Sequence, residues 1–84
     1  MKITFKLFAS LTDYLPPDAR HSNIVVLDVA PDAPISQIIE PFGLPPKMVH
    51  LVLVNGTYIE PDKRLTHTLR EGDVLAIWPP IAGG

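Results

Sequence analysis

The chain has 84 residues, seven Lys+Arg against nine Asp+Glu, a formal net charge of -2 and 46% hydrophobic residues. That length allows one small domain, the near-neutral balance lacks the basic stripe of a nucleic-acid binder, and the apolar content excludes an acidic disordered tail. There is no cysteine, which removes disulfides, thiolate catalysis, iron–sulfur ligation and zinc knuckles together.

The longest unbroken apolar run is Val74 to Trp78, far short of the roughly 20 residues a membrane span needs. The N-terminus passes straight into an alternating pattern without a signal-peptide apolar region. A cytoplasmic protein is the expectation. The ten prolines fall between the apolar runs, so they punctuate a fold.

Ile3, Phe5 and Leu7 alternate with Thr4, Lys6 and Phe8, which predicts a strand over Lys2 to Phe8. A helical turn follows over Ser10 to Tyr14 and stops at Pro16-Pro17. After a polar loop, Asp18 to Asn23, the β-branched stretch Ile24 to Val29 predicts the second strand. Asp32-Ala33-Pro34 opens a helix, with Pro34 near its first position. Ile35, Ile38, Ile39 and Phe42 then recur at the spacing of one helix face. Pro41 limits this helix to about two turns, and Gly43 closes it. Met48 to Val54 is apolar on both faces, which predicts an inner, well-covered third strand. Asn55-Gly56 is a hairpin turn; Tyr58 and Ile59 start the return strand, which Pro61 cuts short. Asp62 to Leu69 reads as loop with a turn of helix. Glu71-Gly72-Asp73 turns into the last strand, Val74 to Trp78, which Pro79-Pro80 ends.

One helix packed across a small mixed sheet is an α+β β-grasp, the ubiquitin-like arrangement, with residues 1–80 as the domain and 81–84 as a tail. Another small α+β sandwich would share these elements. A ferredoxin-like half would need a second helix, for which Asp62 to Leu69 is too short and too broken.

Side-chain catalysis finds little support. His21, His50 and His67 share no metal-ligand spacing. Asp28, Asp32, Asp62, Glu71 and Asp73 fit turns and caps. No Ser-His-Asp order and no Gly-rich phosphate loop is present. The expectation is no metal site and no enzyme in its own right. The tail is different. Pro79-Pro80-Ile81-Ala82 makes a stiff, extended approach. Gly83 and Gly84 have no Cβ, so a narrow channel can close around their backbone. The terminal carboxylate of Gly84 then reaches a reactive phosphorus, the geometry needed when a second protein adenylates it. A fraying glycine end is the plain alternative.

Trp78-Pro79-Pro80-Ile81-Ala82-Gly83-Gly84 resembles the tail of the MoaD/ThiS sulfur carriers, which include the small subunit of molybdopterin synthase. Leu69 to Val74 resembles the family's turn into the last strand, Val54-Asn55-Gly56 its hairpin, and Met1 to Leu11 its first strand and helical turn. The resemblance implies that the protein binds no cofactor itself. A ubiquitin-activating-like enzyme, using ATP and magnesium, adenylates Gly84. A sulfur donor then makes a thiocarboxylate, and a synthase subunit like the large subunit of molybdopterin synthase accepts the sulfur. Pro79-Pro80 looks more like the molybdopterin branch than the thiazole branch. A ubiquitin-like modifier forming isopeptide bonds would carry the same tail, and an interaction module would leave it idle.

Alternation also predicts a docking surface. With Ile3, Phe5 and Leu7 inward, Phe8 shares the other face with Thr4 and Lys6. With Leu75 and Ile77 inward, Trp78 lies outward, so adjacent first and last strands bring Phe8 and Trp78 together, and Tyr58 joins them. Trp78 as a simple cap on the core edge is the other reading. Lys6, Lys63 and Arg64 add charge for an acidic partner, or are ordinary solvated loop charge.

Overall fold

The structure is a computed structural model that describes residues 1–80. Five strands, β1 (Lys2–Leu7), β2 (Ile24–Asp28), β3 (Leu51–Val54), β4 (Thr57–Tyr58) and β5 (Val74–Trp78), form one sheet in the order β2-β1-β5-β3-β4. β1 and β5 are parallel, with Phe5 beside Leu75 and Leu7 beside Ile77. The other neighbours are antiparallel. Helix α1 (Ile35–Ile39) crosses one face. This is the β-grasp arrangement.

Alternation explains the core. Ile3, Phe5, Leu7, Val52, Leu75 and Ile77 are buried on the helix side of the sheet, under Ile35 and Ile38 of α1. Leu11 and Leu15 close one end from the 3₁₀ turn Ala9–Tyr14 and the residue after it. Phe42 tilts onto Phe5 with ring centroids 4.6 Å apart. Pro41 does limit the helix: α1 gives way to a 3₁₀ turn over Glu40–Phe42, and Gly43 closes it at φ +68°. The Asn55-Gly56 turn has φ +50° and +83°, both in the left-handed region that a two-residue type I′ hairpin requires.

Several expectations change. β2 ends at Asp28 rather than Val29, and β4 is Thr57–Tyr58 rather than a strand starting at Tyr58 and Ile59. β1 ends at Leu7, because Ala9 takes φ +54° and turns the chain. β3 begins at Leu51 rather than Met48, because Pro46–Met48 is a 3₁₀ turn whose Met48 N–H donates to the Pro45 carbonyl at 2.8 Å. β3 is inner in the sheet, yet only one of its faces is covered: Leu51 keeps 41% of its surface exposed.

Candidate functional site

Strand register assembles the open face of the sheet. Antiparallel partners share a face, so Leu51 stands beside Trp78, and Leu53 beside both Ala76 and Tyr58. Lys6 lies next to Ala76 through the parallel pair. Phe8 follows β1, and its N–H donates to the Ile77 carbonyl at 3.1 Å, which keeps it alongside β5. The Phe8 and Trp78 rings stack with centroids 4.0 Å apart and planes 6° apart. Both are half-buried. Stacked aromatics present large area at little entropic cost, and this pair stands where β5 leads into Pro79 and Pro80. Ile81, Ala82, Gly83 and Gly84 lie outside the described residues.

Tyr58 does not join the stack. β4 is separated from β5 by β3, and the Tyr58 ring sits beside Arg64, whose guanidinium carbon is 5.8 Å from the ring centre. The third apolar member next to Trp78 is Leu51, which sequence reasoning assigned to a covered strand. The run of apolar residues on both faces of β3 was the only signal for it.

Arg64 is also placed differently. As part of Asp62-Lys63-Arg64 it was expected on an exposed loop, but only 8% of its surface is accessible. From the 3₁₀ turn Pro61–Leu65, its Nε donates to the Ile59 carbonyl at 2.9 Å. Its two terminal nitrogens donate to the Val49 and His50 carbonyls at 3.3 and 3.1 Å. It therefore braces the segments before β3 and after β4, and its charge does not belong to a docking surface. Lys63, beside it in sequence, is exposed, and Lys6 is half-exposed on the open face.

At the far end of β5 a second polar network holds the hairpin. Asn55 Nδ2 donates to Asp73 Oδ1 at 2.9 Å, and the Val74 N–H donates to Asn55 Oδ1 at 2.8 Å. The Arg70 N–H donates to Asp73 Oδ2 at 2.8 Å. That backbone donor, then the Asn55 amide, holds the Asp73 carboxyl below its ordinary 3.8. No group of three metal-ligating side chains occurs among the described residues, and none of their helices is long and apolar enough to cross a membrane.

The sheet order, the helix crossing one face and the parallel first and last strands define a ubiquitin-like β-grasp protein among the described residues. The chain belongs to the Mut7-C ubiquitin family, whose sequence model matches residues 1–82. It is similar to SAMP1 from Haloferax volcanii at 26% identity and TM-score 0.68, with 100% of each chain covered. The Haloferax volcanii HVO 2177 protein, at 21% identity and TM-score 0.74, covers 100% of this chain with 87% of its own. In a complex of subunits 1 and 2 of molybdopterin-converting factor from Helicobacter pylori 26695, one chain aligns at 18% identity and TM-score 0.61, with 100% of each chain covered. No curated relative matches.

Proposed function

We propose that this chain is a sulfur carrier that acts through the carboxyl of Gly84. The observation that carries the reading is the stacked Phe8–Trp78 pair, flanked by exposed Leu51, at the end of β5 from which the tail departs. An activating enzyme of the ubiquitin-activating kind docks on that patch, with Lys6 beside it on the open face. It threads Ile81, Ala82 and Gly83 through a narrow channel, with Pro79 and Pro80 keeping the approach extended. The Gly84 carboxylate attacks the α-phosphorus of ATP; pyrophosphate leaves, and magnesium is held by the enzyme. A sulfide equivalent then attacks the acyl carbon, AMP leaves, and a thiocarboxylate remains. The chain contributes shape and a terminus, and its partner contributes the catalytic groups. The acceptor is a synthase subunit like the large subunit of molybdopterin synthase, in the cytoplasm; the Helicobacter pylori complex, in which a chain of this fold meets a second subunit, supports that choice.

A second reading has its own support. SAMP1 is similar over the whole of both chains, and a Haloferax volcanii protein of this fold is described as a small archaeal modifier. In that reading the activated Gly84 acylates a target lysine and forms an isopeptide bond. Intact mass separates the two. After incubation with an activating enzyme, ATP, magnesium and a sulfur source, the carrier gains the mass of one oxygen-to-sulfur exchange, and the chain lacking Gly84 does not. An unchanged mass together with lysine-linked conjugates would move the assignment to the modifier.

A further inference from the structure

The two edges of the sheet differ. β4 has two residues and is followed by Pro61 and a 3₁₀ turn. β2 has five, with no proline, no lysine and no bulge to blunt the edge, and a single charge, Asp28, at its end. Its pairing to β1 shows which backbone groups are free. The Val29 N–H donates to the Met1 carbonyl and the Leu7 N–H to the Asn23 carbonyl. Hydrogen-bonded pairs alternate in an antiparallel ladder, so Val25 and Leu27 also bond inward. Ile24, Val26 and Asp28 therefore aim their N–H and C=O groups outward. Of these, the Ile24 carbonyl has one long contact, 3.5 Å from Ser22 Oγ. The side chains of Val26 and Ile24 on this edge are 61% and 41% exposed.

We propose that two copies of this chain join β2 to β2, antiparallel, about a two-fold axis at Val26. The edge is complementary to itself in this register. Val26 meets the second copy's Val26, and Ile24 meets its Asp28, with both outward groups of each residue bonded. On the open face the outer row runs Lys2, Asp28, then Ile24 and Lys6 of the second copy, because Lys2 pairs with Asp28 and Lys6 with Ile24 within each copy. Asp28, 3.5 Å from Lys2 Nζ, thus has a second lysine one strand beyond its new neighbour, and no like charges are opposed. On the helix side, half-buried Val25 and Leu27 cover each other reciprocally. A two-fold centred on Asp28 would instead oppose two carboxylates. A seam of five residues is smaller than the roughly 1,200 Å² at which standard interfaces begin, so the dimer forms only at high protein concentration. Both Phe8–Trp78 stacks remain free on the same side of a continuous ten-stranded sheet.

The cysteine-free sequence makes the test direct. Val26→Cys places two thiols across the axis with Cα atoms about 5.5 Å apart, inside the roughly 4.4–6.8 Å range of disulfides. Ile24→Cys places them about four residues apart along the strands, near 13 Å. Under mild oxidation Val26→Cys forms a disulfide dimer and Ile24→Cys stays monomeric; equal cross-linking of both, or of neither, overturns the proposal. By sedimentation the unmodified chain gains mass with concentration. Val26→Lys, at an exposed position, keeps its circular dichroism and weakens association about tenfold or more by opposing two lysines. A chain that stays monomeric at every concentration also overturns it.

Discussion

Arg64 carries a positive charge into a site where three backbone carbonyls, not a carboxylate, receive it. Charged donors strengthen such bonds, and removing them leaves the acceptors without partners. Arg64→Ala should lower stability by about 2–3 kcal/mol in urea denaturation. Arg64→Lys should recover less than half of that, because a compact ammonium lacks the rigid fork of three separate nitrogens that reaches these carbonyls. A loss below about 0.5 kcal/mol would return Arg64 to the ordinary surface. Asp73 acts through its charge in the opposite sense. Its folded-state carboxyl is held below 3.8 by the Arg70 N–H and then by the Asn55 amide. The stabilisation is therefore whole above that pH and is lost as the pH falls through the lowered folded value. Asp73→Ala should cost about 1 kcal/mol at neutral pH, and its gap to the unmodified chain should close in acid. A gap of constant size down to about pH 2 would mean that the carboxylate's charge contributes nothing.

Helix α1 illustrates how little an element of this size holds by itself. It has five residues and no side-chain cap; its Ile35 N–H donates instead to the His67 carbonyl at 3.0 Å, from a distant loop. Short helices are marginal without tertiary contacts, and here burial of Ile35 and Ile38 supplies them. The ends of β1 and β5 are joined by the Phe8–Trp78 stack. A double-mutant cycle with Phe8→Leu and Trp78→Leu should give a coupling of about 0.5–1.5 kcal/mol in stability. The same two variants should each weaken binding of an activating enzyme more than they weaken the fold. Zero coupling would mean the rings merely lie near one another, and unchanged binding would remove the patch from the docking surface. The limits of the elements were less legible than their presence. Two of the missed boundaries, at Phe8 and at Met48, are places where a backbone turn overrides an apolar pattern that continues through it.

At the scale of the molecule, alternation along β1 and β5 already told which side chains enter the core, and the prolines and glycines told where the chain turns. These are local properties: the pleat has a period of two, Pro41 denies a donor, and Asn55-Gly56 accepts positive φ. The same alternation, with adjacent first and last strands, foresaw Phe8 beside Trp78, and the register of β1 on β5 brings them together. Local pattern placed β3 inside the sheet but had no access to which charges are buried or which backbone groups an edge strand leaves free. Arg64 and Lys63 are adjacent in sequence, yet one is braced against three backbone carbonyls while the other faces solvent. Leu51 looked like core and Tyr58 like a partner of Trp78 until strand order exchanged their surroundings. Nor does β2 announce in its residues that Ile24, Val26 and Asp28 offer their backbone outward, because that follows from its register on β1. Faces and turns depend on a few consecutive residues, whereas burial, pairing and edges depend on which distant segments meet. That meeting is fixed by packing the whole chain around one core.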